Sequence, residues 1–132
     1  MKNKEKKKVL ISEDESISAE LFRSFIEDLG HTVVSVTHRT EDTLQQIYKL
    51  HPHIVFLDIN MEYKTAGIDV CKIIKEKYSD IKVYFLTAYD KSVFEEELKN
   101  ISYDGYVDKL NFMNIMEDIL VGNEKENGNG AK

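Results

Sequence analysis

Four apolar residues, Ile54, Val55, Phe56 and Leu57, run straight into an acid, Asp58. β-Branched and aromatic residues dominate the run and no polar alternation interrupts it, so it reads as a strand buried on both faces. A carboxylate at its exit costs desolvation free energy unless a cation or hydrogen bonds compensate it. Comparable exits recur: "VLIS" leads to Ser12, Glu13 and Asp14, "IKVYFLT" ends on Thr87, and "GYVDK" ends on Lys109. Three carboxylates packed together raise one another's pKa values, and a hard divalent cation is the natural relief. Oxygen ligands completed by water suit Mg²⁺. Thr87 and Lys109 suit a phosphoryl group instead, the hydroxyl donating to one oxygen and the ammonium acting as a point charge on another. The chemistry that uses all of them is phosphoryl transfer to Asp58 as nucleophile, giving an acyl phosphate in which Mg²⁺, Lys109 and Thr87 stabilise the oxygens of a loose transition state. Each residue alone is an ordinary start to a loop. Four strand ends carrying complementary groups are harder to dismiss.

Such a convergence needs elements that bring the strand ends to one edge. After "VLIS" (9–12), the stretch "ESISAELFRSFIEDLG" places Ile17, Leu21, Phe22, Phe25, Ile26 and Leu29 near one helical face and closes on Gly30. "HTVVSV" (31–36) reads as strand. Thr40 is a candidate cap for a helix through Leu50 that turns Leu44, Ile47 and Tyr48 inward, and Pro52 stops it ahead of the Ile54 strand. Further helices are expected over residues 68–78, from a cap at Asp90 or Ser92 to about Asn100, and over 112–120, with strands over 81–87 and 105–109. Strand and helix thus alternate five times. That is the pattern of a doubly wound α/β sandwich with a parallel sheet, helices on both faces and right-handed crossovers. In such sheets ligands sit beyond the carboxyl ends of the strands, where Asp58 and its companions stand.

At 132 residues the chain suits one domain with one core. Its 18 Lys and Arg against 24 Asp and Glu leave a formal net charge of −6, which weighs against direct nucleic-acid binding because phosphate neutralisation needs a basic face. The one basic run, "KNKEKKK", begins the chain and reads as a flexible tail over residues 1–7; the domain follows over 8–121, and "GNEKENGNGAK" over 122–132 reads as a disordered tail. No secretory core follows the basic start and no apolar run approaches membrane-spanning length, so a cytoplasmic protein without membrane insertion is expected. Cys71 falls among Ile68, Ile74 and Tyr78 at helical spacing and is expected in the core rather than as a reactive thiol. His31, His38, His51 and His53 lack the company of a zinc site and are expected to be loop and strand-edge residues.

The residues resemble one family, the receiver domain of two-component response regulators, over about residues 8–121. "VLISEDES" is similar to the family's first strand and acidic pair, here Glu13 and Asp14; "PHIVFLDINM" resembles the phosphoacceptor strand with Asp58; "VYFLTAY" resembles the strand ending in a hydroxyl, Thr87; and "DGYVDK" resembles the last strand, with Lys109 and an aromatic switch position at Tyr106. The resemblance implies a flavodoxin-like (βα)5 sandwich with strand order 2-1-3-4-5. It implies that Asp14 and Asp58 bind Mg²⁺ directly, that Glu13 acts mainly through water, and that the backbone carbonyl of Asn60 completes the protein ligands. It further implies that Thr87 moves toward the phosphoryl group while Tyr106 turns inward, and that the readout face is the fourth helix, fifth strand and fifth helix, including Tyr103, Lys109 and the surface around Ile115 and Ile119. Asn60 and Tyr89, each two places beyond a site residue, are expected to flank the path of attacking water. The partners implied are a sensor histidine kinase or histidine phosphotransfer protein and a downstream protein target, with the chain a monomer or weak homodimer. With no output domain after residue 121, a stand-alone receiver acting by protein contact is expected. By the same resemblance it is expected to assist its own phosphorylation and dephosphorylation without turning over an external substrate.

This sequence departs from the family pattern in three places. Glu62 stands where receivers usually have a proline, the loop after Asp58 is one residue longer so that Ala66 precedes Gly67, and Leu110 replaces the proline that usually follows the lysine in a cis peptide. A cis bond before leucine costs about 2.5–4 kcal/mol, so a trans bond and a shifted loop are expected. Leu110 motivates the alternative of a degenerate receiver that acts as a phosphate-independent interaction module. Two other classes fit less well. A phosphatase of the haloacid dehalogenase type needs a second acid two residues after the nucleophile, where this chain has Asn60. A flavin binder needs hydroxyls and amides in the loop after the first strand, where this chain has the acidic "SEDES".

Overall fold

The computed structural model describes residues 5–121; residues 1–4 of the basic run and the expected disordered tail at 122–132 lie outside the described residues. Five strands, β1 (Lys8–Ser12), β2 (Thr32–Thr37), β3 (Ile54–Leu57), β4 (Lys82–Thr87) and β5 (Gly105–Asp108), form one parallel sheet in the order β2-β1-β3-β4-β5. The helices are α1 (Ser16–Asp28), α2 (Thr40–Leu50), α3 (Ala66–Lys77), α4 (Glu95–Leu98) and α5 (Phe112–Leu120). This is the flavodoxin-like, doubly wound (βα)5 sandwich.

Strand side chains alternate between two cores, as a period of two requires. Val9, Ile11, Ile54 and Phe56 meet Phe22 and Ile26 of α1 and Phe112 and Met116 of α5 on one face. Leu10, Val55, Leu57, Val83 and Phe85 meet Ile47 of α2 and Ile68, Cys71 and Ile74 of α3 on the other. Every residue of β3 is buried, which is why its sequence shows no polar alternation. The β1–β2 ladder slips between Val9 and Leu10, which pair with Val33 and Ser35, so β2 carries an extra residue there.

Several expected inward faces are narrower than the sequence reading had them. Ile17 and Leu21 are exposed on α1, Ile17 at 79%, because the buried line runs through Ala19, Phe22 and Ile26 and each helical residue advances about 100°. Tyr48, one step round from buried Ile47, is 76% exposed. α3 begins at Ala66, two residues before Ile68. The helix expected to reach Asn100 is instead a 3₁₀ turn (Lys91–Phe94) leading into the single turn of α4; Asp90 caps the 3₁₀ turn, accepting from Ser92 N–H at 3.0 Å. Only Phe94 and Leu98 are buried there, and three successive glutamates have no apolar stripe to extend. Ile119 is buried on the inward stripe of α5 with Phe112 and Met116, whereas Ile115 packs against the same core and stays partly exposed. Lys7 is already tied to the body, its N–H donating to His31 Nδ1 at 3.0 Å.

Candidate functional site

The sheet places the acids. Ser12 and Leu57 are register partners, so the residues that follow them emerge side by side at the carboxyl edge. Asp58 N–H donates to Ser12 O at 3.0 Å and Glu13 N–H to Thr37 O at 2.9 Å, which extends the ladders one step and fixes both backbones. Glu13 Oε2 accepts from Glu15 N–H at 3.0 Å, and His38 Nδ1 donates to the Glu13 carbonyl at 2.8 Å. Glu13, Asp14 and Asp58 then bring one carboxylate oxygen each to within 4.8 Å of the others. Glu13 is 1% exposed, Asp58 is 5% exposed, and Asp14 faces solvent.

Lys109 closes the cluster from the turn that follows β5, with Nζ 2.8 Å from Glu13 Oε1 and 3.3 Å from Asp58 Oδ2. Burial opposes the charge on Lys109, but its hydrogen bond to Glu13 and the Asp58 charge outweigh it, and its pKa is raised. Burial pushes the Asp58 carboxyl up to about 6, with Glu13 adding and Lys109 opposing. One ammonium thus faces three carboxylates, and buried Glu13 Oε1 has no hydrogen bond beyond its lysine pairing. Hard oxygen donors with excess negative charge fit a small divalent cation such as Mg²⁺. The peptide bonds of the described residues are all trans, as expected before Leu110. The shifted segment is a 3₁₀ turn, Lys109–Asn111, in which Leu110 N–H donates to Asp108 Oδ1 at 2.9 Å; proline has no N–H to make that bond. Leu110 itself is 93% exposed, and Lys109 still reaches both acids.

Thr87 is buried at the end of β4, its Oγ1 accepting from Tyr89 N–H at 3.2 Å. Tyr106 is half-buried against Phe85, and its hydroxyl donates to the Tyr89 carbonyl at 2.8 Å. Burial pushes the Tyr106 phenol up, with Asp90 adding and a hydrogen bond to Thr87 opposing. Tyr89 also meets Asn60, whose Nδ2 donates to the Tyr89 hydroxyl at 3.2 Å. The two positions expected to flank the water path therefore touch each other. Tyr103 packs on Phe85 with ring centroids 5.4 Å apart and carries Lys91 over its own ring at 5.7 Å.

The sequence reading missed how the loop after Asp58 is held. Gly67 lets α3 start against the end of β3: its N–H donates to Ile59 O at 2.8 Å, and a Cβ there would run into Asp58 backbone. Ser12, Thr43 and Thr37 form a buried hydroxyl chain, with Ser12 Oγ 2.8 Å and Thr37 Oγ1 2.7 Å from Thr43 Oγ1. Ser12 also donates to Met61 Sδ at 3.3 Å. Thr40 is the first helical residue of α2 rather than its cap; the N-cap position is Arg39, which makes no side-chain cap, and Glu62 accepts from Thr40 N–H instead. An arginine at a helix start with no local acceptor was the signal that a cap must come from elsewhere.

The remaining sequence expectations find plain structural reasons. Cys71 is buried, donates to the Ser102 carbonyl at 3.3 Å, and burial pushes its thiol up to about 12. His53 Nδ1 accepts from Lys8 N–H at 2.8 Å at the strand edge, and His51 ends α2 with a left-handed φ of 46°.

The family model described as response regulator receiver domain matches residues 9–120. The polar-differentiation response regulator DivK of Brucella ovis is 29% identical over 105 residues, 78% of this chain and 84% of that protein. A LuxR-family DNA-binding response regulator from Staphylococcus aureus superposes with a TM-score of 0.76 at 26% identity, covering 86% of this chain and 95% of that one. A CheY-like receiver domain from Methylobacillus flagellatus shares the fold with a TM-score of 0.77 at 24% identity, covering 91% of this chain and 100% of that one.

Proposed function

The chain belongs to the response regulator receiver family, and from that premise we propose that it is a phosphoacceptor switch of a two-component phosphorelay, modified on Asp58. The observation that carries the reading is the Lys109 ammonium seated between Glu13 and Asp58, with Asp14 completing an acidic cluster. An Asp58 carboxylate oxygen attacks phosphorus as the bond to the donor breaks. With a phosphohistidine of a sensor histidine kinase or histidine phosphotransfer protein as donor, the imidazole leaves with the electron pair of the P–N bond. Lys109 holds one phosphoryl oxygen and the Thr87 hydroxyl donates to another. Asp14, Asp58 and the Asn60 carbonyl, with Glu13 through water, would hold Mg²⁺, which supplies charge neutralisation for the transferring group. Lys109 reaches both acids without the usual proline, which supports the switch over a degenerate, phosphate-independent receiver.

Tyr106 and Thr87 meet on the same residue, the phenol donating to the Tyr89 carbonyl and Thr87 Oγ1 accepting from Tyr89 N–H, which supports a coupled pair: drawing Thr87 toward a phosphoryl oxygen releases Tyr89 and with it the anchor of the phenol. The readout would pass to a protein target through the face of α4, β5 and α5, with residues 8–121 as the proposed unit. Receiver domains are signalling switches rather than substrate-turnover enzymes, and the activity assigned here is on the chain's own Asp58. No helix of the described residues is long and apolar enough to cross a membrane, and the cytoplasm is the proposed compartment.

The test is labelling with a small phosphodonor, read by intact mass, with beryllofluoride-induced NMR shifts in parallel. The wild type gives an adduct that requires Mg²⁺, and Asp58→Ala gives none. No response of the wild type at saturating donor sinks the reading and leaves a phosphate-independent interaction module.

A further inference from the structure

The loop between β3 and α3 is braced on α2 by a side chain from outside that helix. Arg39 at the N-cap position makes no capping bond, and a cation there has the wrong sign for the positive end of the helix. Glu62 takes over: Oε2 accepts from Thr40 N–H at 2.9 Å and lies 3.8 Å from Arg39 Nε. Slight burial opposes the charge, but the Thr40 amide and Arg39 outweigh it and hold the Glu62 carboxyl below its usual range. Met61 makes a second link to the same helix, since its sulfur accepts from Ser12 Oγ, which is itself bonded to Thr43 of α2. On the other side Asn60 is held by Tyr89, and Gly67 N–H closes the base of the loop on Ile59 O. The segment that follows Asp58 is therefore suspended between α2 and the end of β4. Where a proline ring would stiffen this segment, a carboxylate anchors it from the side.

We propose that Glu62 is a positioning residue: by capping α2 across the loop it holds residues 59–62 beside the acidic pocket and sets how tightly that pocket takes a divalent cation. This rests on the reading of Glu13, Asp14 and Asp58 as a cation site. The physical basis is that Glu62 ties residues 59–62 directly to α2, while Met61 reaches the helix through Ser12 and Thr43. Releasing Glu62 leaves the loop more conformations, and cation binding must then pay the entropy of ordering it.

Mg²⁺ affinity of the full chain, measured by NMR titration, is compared for the wild type, Glu62→Ala, Glu62→Gln and Glu62→Ala/Arg39→Asn. Asparagine at position 39 supplies a local cap, so the double variant restores the helix without restoring the bridge. Glu62→Ala is expected to bind Mg²⁺ about fivefold more weakly, a ratio that corresponds to about 1 kcal/mol. Glu62→Gln, still able to accept from Thr40 N–H, recovers part of the loss. The double variant regains exchange protection at the α2 N-terminal amides while its Mg²⁺ affinity stays low. Unchanged affinity in Glu62→Ala, or full recovery in the double variant, overturns the proposal and leaves Glu62 a structural cap. A wild type that takes no Mg²⁺ overturns the cation reading and this inference together; a wild type that binds beside an equally tight Glu62→Ala overturns this inference alone.

Discussion

Gly67→Ala tests the close approach of α3 to the end of β3. A Cβ on residue 67 would overlap the Asp58 carbonyl oxygen and sit 2.7 Å from Ile59 Cα and 2.9 Å from the Asp58 carbonyl carbon. Carbon atoms pack best at about 3.5–4.0 Å, so helix and strand must part by roughly 1 Å. All three obstructing atoms are backbone, and no rotamer change relieves the overlap. Such overpacking costs about 1–3 kcal/mol, and stretching the Gly67 N–H bond to Ile59 O adds about 1 kcal/mol. The net expectation is about 3 kcal/mol, or a midpoint about 10 °C lower for a domain of this size. Gly30→Ala is the control. Its φ of 95° strains an alanine by about 1 kcal/mol, yet nothing lies within 4 Å of the added carbon. Thermal and urea unfolding followed by circular dichroism reads both variants, and Asp58 labelling should suffer more in Gly67→Ala because its Cβ displaces the Asp58 backbone itself. A Gly67→Ala midpoint within about 2 °C of wild type, or one above that of Gly30→Ala, refutes the steric argument.

Two further expectations concern the supports of the sheet and of the α4 region. Asp104 Oδ2 accepts from Lys75 Nζ at 2.8 Å and from Val83 N–H at 2.7 Å, so Asp104→Ala leaves a partly buried ammonium with only the Ile81 carbonyl, and no counter-charge, and strips the strand amide of its acceptor; it is expected to cost about 2–3 kcal/mol in urea unfolding. Asp104→Asn, which keeps an acceptor, should lose less, and equal losses would mean the acceptor is not what matters. Asp90, fully exposed, has its carboxyl held below the ordinary 3.8 by hydrogen bonds from Ser92. A folded pKa below the unfolded one makes its contribution to stability present above the unfolded value and lost as pH falls through the folded one. The Ser92 amide shift should therefore titrate with a midpoint below pH 3.8, and a midpoint at or above that value would contradict the capping bond.

Element order and the chemistry of the strand ends were legible in the sequence because both rest on local patterns. Runs such as "IVFL" and "VYFLT" are apolar without alternation because they lie in the middle of a covered sheet, and the polar residue that ends each run marks its exit. Parallel strands all exit at the same edge, so the meeting of Glu13, Asp14, Asp58 and Lys109, and the placing of Thr87 at that edge, follow from topology once the alternation of elements is read. What faces inward on each helix was less legible. Ile17 and Tyr48 are as apolar as their buried neighbours, and only the position of the sheet decides which side of a helix is covered.

Tertiary structure alone decided how the site is braced. Glu62 lies 22 positions from Thr40, and Lys109 lies 51 from Asp58; no local period links such pairs. Leu110 shows the same division. The sequence excludes the usual proline and points to a trans bond, but that Lys109 keeps its reach follows from a turn capped by Asp108, whose geometry depends on where β5 ends against β4. Residue type determined which groups could take part, since a carboxylate, a hydroxyl and an ammonium carry their chemistry wherever they stand. Distance and burial determined which of them act together, because electrostatic and hydrogen-bond energies are set by separations that only the packed sheet and helices impose.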